Sequence, residues 1–159
     1  MKLIDTARLD QMVESAKASP RLRAHHNLHP HLDDPVQRLA IAMEPDTLVF
    51  PHRHPHTFEL LTPLRGRFIV LYFDDAGVVT ARTVLGEGTQ VIENPAGQWH
   101  AVRSLDAGGV IFEVKQGAYQ PLAPQDVASW APASESDAAR QLNDWYLTAR
   151  VGDQAPSFS

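Results

Sequence analysis

The chain contains no cysteine. That removes disulfides, thiolate metal ligands and a cysteine nucleophile together, so any metal site has to be assembled from histidine nitrogen and carboxylate oxygen. Long apolar runs are missing as well: "FIVLYF" is the longest strongly apolar stretch, far short of the about 20 residues that span a bilayer as a helix. No apolar segment follows the lysine of "MKLIDTARLDQ", so neither an export signal nor a membrane partner is expected, and a cytoplasmic protein is the simplest expectation. Nor is there a basic block. Fourteen Lys and Arg stand against nineteen Asp and Glu, a net charge of -5, which leaves nothing to track a phosphate backbone and makes nucleic acid an unexpected partner.

What is present is ordinary globular composition with one excess. Hydrophobic residues make up 43% and charged residues 21% of 159 positions, with eight histidines among them. The length suits one domain with a real core. The expected organisation over 1–159 is an N-terminal helix in 1–20, a β-barrel in 21–117, and a connector with a C-terminal helix in 118–150.

Leu9, Met12, Val13 and Ala16 recur at helical spacing between Thr6 and Ala18, and Ser19-Pro20 supplies a stop. The next segment, "RLRAHHNLHPHLDDP", reads as an edge strand or an ordered loop. From Pro35 onward the pattern is one of strands: "VQRLAIAM", "TLVFPHRH", "FELLTPL", "RFIVLYF", "VVTARTVL", "TQVIEN", "WHAVRSL" and "GVIFEVK". Turn signals such as "DDAG", "GEG", "NPAG" and "DAGG" separate them. Short strands without intervening helices predict an all-β, antiparallel jelly-roll barrel. Near the C-terminus, Ala139, Leu142, Trp145, Tyr146 and Ala149 share a helical face, and Trp130, Trp145 and Tyr146 read as anchors holding that helix to the sheet. The final "VGDQAPSFS" reads as a frayed tail.

The histidines of "VFPHRHPHTFELLTPLRGR" carry the chemistry. His52 and His54 are two positions apart and project to one side of a strand, roughly 6–7 Å apart at their Cα atoms. Their imidazoles can converge on one ion at about 2.0–2.1 Å per nitrogen. Pro55 cannot donate to a ladder, so the strand ends near His54 and a bend leads into a new strand at Phe58. The bend resets the alternation and lets Glu59 face inward, ahead of a turn at Gly66. Downstream, the Pro95-Gly97 turn in "NPAGQWHAV" places His100 at the start of a strand that a closed barrel can bring opposite His52 and His54.

These two stretches resemble the cupin superfamily. "HRHPHTFELLTPLRG" matches the first cupin motif, H-x-H-x4-E-x6-G, and "PAGQWH" matches the P-x-G-x-x-H centre of the second. The resemblance implies His52, His54, Glu59 and His100 as a three-histidine, one-carboxylate metal site. "SPRLRAHHNLHPHLDDPVQRL", "MEPDTLVFPHRHP" and "WAPA" are similar, more narrowly, to the small WbuC-type cupin proteins, over a span from Ser19 to about Trp145. That family is associated with surface-polysaccharide gene clusters. Asp46, Thr89 and Ser104 depart from the cupin motifs at turn and packing positions, and the ligand set is intact.

Such a set implies one divalent transition metal, Fe, Mn, Zn, Ni or Co, with positions open to water or substrate. Lewis-acid chemistry of the isomerase, epimerase or lyase type on a carbohydrate or sugar nucleotide is the leading expectation. An Fe(II)-dependent dioxygenase and a non-catalytic metal-dependent sensor are the alternatives. His56, in the bend, is a candidate base or a solvated loop residue. Arg23, His26, Asn27 and His29 are candidates for contacts to a sugar-like or anionic small molecule, and the cluster His25, His26, His29 and His31 is alternatively a second metal site or plain surface. A homodimer is expected, since exposed edges of small β domains often pair.

Overall fold

The computed structural model describes residues 1–133 and 135–158. Helix α1, Thr6–Ala18, starts where the Asp5 side chain accepts the Arg8 amide hydrogen and stops at Ser19. Eight strands follow: β1 Arg23–Asn27, β2 Val36–Met43, β3 Glu59–Arg65, β4 Phe68–Phe73, β5 Val79–Leu85, β6 Ile92–Asn94, β7 Trp99–Ser104 and β8 Gly109–Gln116. Helix α2 spans Asp137–Trp145, capped by the Ser136 side chain accepting from the Ala139 amide.

The strands form two antiparallel sheets, β1-β2-β8-β3-β6 and β5-β4-β7, that face each other as a cupin-type jelly roll. Alternation along each strand then decides what every residue touches. On β2, Leu39, Ile41 and Met43 line the interior. Their neighbours Ala40 and Ala42, fully buried on the outer face, pack with Met12, Val13 and Ala16 of α1 and with Val110. Two alanines at the contact allow the helix close approach.

Strand β4 is apolar throughout because both its faces are covered. Phe68 and Val70 point inward with Leu61, Leu85, Val102 and Ile111. Ile69, Leu71 and Phe73 point outward against Leu142, Tyr146 and Ala149. Trp130 and Trp145 lie 5.1 and 6.3 Å from the Phe73 ring, so the aromatic residues near the C-terminus are anchors. The Tyr146 hydroxyl donates to Val49 O at 3.2 Å.

Two readings of the sequence need correction, and one left open is settled. The segment before His52 is not a strand: His52 makes only isolated bridges, to His100 and to Val127, because Pro51 and Pro55 bracket it. The segment after Pro20 resolves into the edge strand β1. The C-terminal tail is ordered against β5: Val79 N–H donates to Asp153 O at 2.9 Å, Gly152 N–H to Val79 O at 2.8 Å and Ala155 N–H to Gly77 O at 3.0 Å. Ala155 is buried and Phe158 packs on the outer core. Backbone pairing and two apolar contacts outweigh the small, polar composition of the tail.

Candidate metal centre

His52 and His100 come together through the backbone. The His52 amide donates to His100 O at 3.0 Å and the His100 amide to His52 O at 2.9 Å, a hydrogen-bonded antiparallel pair whose side chains share a face. Their ring centroids lie 4.5 Å apart. His54, two residues on, sits 5.1 Å from His52 and 5.8 Å from His100 by the same measure. Its carbonyl accepts the Gly97 amide at 2.9 Å, with Gly97 at φ +78°. The tight turn before His100 is therefore clamped to the segment carrying His54, and a side chain at Gly97 would strain the clamp.

Glu59 enters from the other sheet. One carboxylate oxygen, Oε1, lies 3.3 Å from His54 Nε2 and the other, Oε2, lies 3.0 Å from His100 Nε2. The Asn94 side-chain amide donates to Oε2 at 2.9 Å, and the Tyr72 hydroxyl donates to Asn94 Oδ1 at 2.9 Å. Asn94 occupies this place because β3 pairs with β6 in a register that sets it opposite Glu59.

The imidazoles are oriented from behind. His52 Nδ1 lies 2.9 Å from Phe50 O, and His100 Nδ1 lies 2.9 Å from Gln98 O. A carbonyl only accepts, so both Nδ1 atoms carry the hydrogen and both Nε2 lone pairs face the centre. His54 Nε2 and His100 Nε2 are buried and face the Glu59 carboxylate oxygens. One donor atom from each of His52, His54, Glu59 and His100 lies within 4.8 Å of the other three, a set that bonds of about 2.1 Å to one ion can bridge with small inward movements.

The electrostatics suit a cation. Burial, with the charge of His100 second, pushes His52 down to about 3, so its imidazole is neutral at ordinary pH. Burial also disfavours charge on His100, but the Glu59 carboxylate outweighs it and raises the pKa. Glu59 likewise overcomes burial through His100, His54 and Lys115 and stays well below the usual carboxylate range. Lys115 Nζ lies 3.9 Å from Glu59 Oε1 and 2.8 Å from Glu113 Oε1. Burial, then the Glu59 charge, lifts Glu113 to about 7.

The four side chains open into a cavity of about 660 Å³ inside the barrel, whose walls include Glu113, Lys115, Arg23, Asn27 and His29. Two sequence expectations fail here. His56 is exposed in the turn after Pro55 and does not line the cavity, because the bend that frees Glu59 to face inward turns His56 out. His26 does not line it either, whereas His25 does: the inward positions of β1 are odd-numbered. Among the described residues the His25–His31 cluster forms no second metal-ligating group, and His29 Nδ1 accepts the Arg38 amide at 3.0 Å. Glu113, Lys115, Asn94 and Tyr72 escaped the sequence reading, since only cross-strand pairing brings them to Glu59. The alternation Arg21, Arg23, His25, Asn27, His29 was the available signal for His25.

Fold and site together give a cupin-type jelly roll whose buried histidine and carboxylate cluster has donor atoms suited to a metal ion. The family model described as "Domain of unknown function (DUF6016)" matches residues 4–85, and the chain belongs to that family. No curated protein matches the chain. Among solved structures, the TT1209 protein from Thermus thermophilus is 19% identical, with 74% of this chain and 98% of that chain covered at a TM-score of 0.55. The conserved SPY1581 protein of unknown function from Streptococcus pyogenes is 17% identical, with coverages of 75% and 90% and a TM-score of 0.53. A recombinant oxalate oxidase in complex with glycolate is 18% identical at a TM-score of 0.50, over 65% of this chain and 55% of the oxidase. At these identities the likeness establishes the fold.

Proposed function

We propose that the chain is a mononuclear cupin in which His52, His54, Glu59 and His100 hold one divalent transition-metal ion, and that it is a small-molecule enzyme acting on a carbohydrate or sugar-nucleotide intermediate. The observation that carries the reading is the convergence of one donor atom from each of His52, His54, Glu59 and His100 within 4.8 Å of the others, with the buried Nε2 atoms of His54 and His100 facing one carboxylate. When bound, the ion supplies Lewis-acid polarisation of a carbonyl or hydroxyl oxygen. The chain's own residues do the rest. Phe50 O and Gln98 O hold two imidazoles in the ligating tautomer, Asn94 fixes the carboxylate, and the Glu113–Lys115 pair on the cavity wall replaces His56 as the group placed to move a proton.

Arg23, Asn27 and His29 serve as polar substrate contacts from the β1 edge of the same sheet. The WbuC-type similarity from Ser19 to about Trp145 supports the polysaccharide context, and residues 1–159 form one domain. The test is proton exchange in deuterated water with a panel of hexose phosphates and sugar nucleotides, followed by NMR. Metal-dependent deuterium incorporation beside a carbonyl, lost in Glu113→Gln, supports the enzyme; binding without exchange points to a sensor. Oxygen uptake by the Fe(II)-loaded protein on the same panel would instead identify a dioxygenase.

A further inference from the structure

Strand β1 and its flanks present an unbroken series of polar side chains to the cavity: Arg21, Arg23, His25, Asn27 and His29 all line it. The charge of this wall runs against that of the whole chain. The net charge is -5, yet the lining holds the cations Arg21, Arg23 and Lys115 against the carboxylates Glu59 and Glu113. Both carboxylates are already engaged, Glu59 by His54 and His100 and Glu113 by Lys115. Among the described residues the Arg21 side chain makes one ion pair, a surface contact with Glu135 at 3.6 Å.

Arg23 has no such partner. Among the described residues its half-buried guanidinium makes neither an ion pair nor a hydrogen bond, and burial followed by the charge of Arg21 lowers its pKa. A planar fork of donors in a part-desolvated wall, beside a second cation, is the arrangement that selects a carboxylate or phosphate. The backbone between the arginines is held under strain. Leu22 is at φ 53°, the one non-glycine residue at positive φ among the described residues, a conformation that L side chains disfavour. Its carbonyl accepts from Thr47 Oγ1 at 2.6 Å and from the Glu44 amide at 3.1 Å, which fixes the turn that delivers Arg21 and Arg23 to the same cavity.

The subsite lies away from the metal centre. Arg23 pairs with Met43, and Met43 with Gly109. Along β8, Gly109 is six residues from Lys115, the partner of Glu59. At about 3.3 Å per residue that is roughly 20 Å of strand.

We propose that Arg23, with Arg21 and His25, forms an oxyanion-binding subsite for a phosphate or carboxylate group of the substrate, at the end of the cavity remote from the metal centre. The proposal rests on the metal-centre reading only for where the reacting end of the substrate would lie.

Calorimetric titration of the full chain with glucose 1-phosphate, glucuronate and glucose tests it, in zinc-loaded and in chelator-treated protein. At least one anion binds at least tenfold more tightly than glucose, and the preferred one tells phosphate from carboxylate. Arg23→Gln weakens that anion at least tenfold and leaves zinc content unchanged. Arg23→Lys, which keeps charge but loses the fork, falls between. His100→Ala abolishes zinc binding but preserves the dependence on Arg23. Equal affinity for glucose and the anions, an unchanged affinity in Arg23→Gln protein with a wild-type melting temperature, or no binding of any probe overturns the subsite even where zinc is bound. Absence of zinc from the wild type, with the Arg23 dependence intact, defeats the metal reading instead.

Discussion

His100 Nε2 lies 3.0 Å from Glu59 Oε2. The two residues stand on opposite sheets, and without an ion their contact is that of an imidazolium and a carboxylate, which is why the His100 pKa is raised and that of Glu59 depressed. A metal ion and a proton compete for the same nitrogen lone pair.

Metal affinity should therefore fall as pH falls. Below the raised His100 pKa, each pH unit costs on the order of tenfold in apparent affinity for one displaced proton, while His52, held down to about 3, adds nothing. In the metal-free protein the sign is opposite for stability. A folded pKa raised above the unfolded value makes the His100 contribution full below about 6.5 and lost as pH rises through the folded pKa. Competition with a chromophoric chelator between pH 5.5 and 8.5 measures the first effect, and a flat profile would remove His100 from the ligand set.

Tyr72 and Asn94 hold Glu59 from behind. Asn94→Ala should lower metal affinity by about 10–100-fold and cost about 1–3 kcal/mol of stability by leaving a buried carboxylate oxygen short of a donor. Tyr72→Phe removes the contacts to Asn94 Oδ1 and Glu93 O, leaves the Asn94–Glu59 bond in place, and should fall between wild type and Asn94→Ala. Metal titration with parallel urea unfolding checks the order, and equal affinity in all three proteins would show that the relay orients nothing.

Asp106 ties the β3–β4 turn to the β7–β8 turn. Its carboxylate accepts from the Arg67 backbone amide at 2.9 Å, from Nε at 3.0 Å and from a terminal guanidinium nitrogen at 2.9 Å. The side-chain hydrogen bond to Arg67, more than any other contact, holds its pKa below the ordinary 3.8. That stability is present above the unfolded pKa and lost as pH falls through the folded one. Asp106→Asn should thus melt lower than wild type at pH 7, with the difference closing below about pH 4. A constant difference across that range would contradict the ion-pair account.

Gly77 and Gly88 separate backbone strain from packing. Both have positive φ, +86° and +82°. A Cβ at Gly77 would meet the Trp130 ring at 2.8 and 2.9 Å, whereas nothing lies within 4 Å at Gly88. Gly88→Ala should cost about 1–2 kcal/mol from conformation alone, and Gly77→Ala a further 1–3 kcal/mol, roughly, for displacing Trp130 from Phe73. Urea unfolding of the two variants checks the gap, and equal losses would mean that Trp130 yields freely.

Much of this was legible in the residues. Alternation and turn chemistry gave β2 to β8, with one strand too many read at 47–54, and the two histidine stretches named the four side chains that the barrel brings together. The rest turned on parity and pairing. One residue of slip on β1 exchanges His25 for His26, and the alternation of Leu22, Ala24 and Leu28 with polar odd-numbered residues was the signal that sets the phase. His56 shares the even spacing of His52 and His54 until Pro55 breaks the strand. Glu113, Lys115 and Asn94 matter through register, which a single sequence does not display, and the tail is ordered by backbone pairing to β5 that its composition does not announce.

The central claim is that His52, His54, Glu59 and His100 hold one ion, and elemental analysis tests it most directly. Purified protein, incubated with a divalent transition metal and desalted, should retain near one equivalent per chain, with His52→Ala and His100→Ala each reduced to a small fraction while still folded. Wild-type protein without metal, or variants that keep the wild-type content, would contradict it.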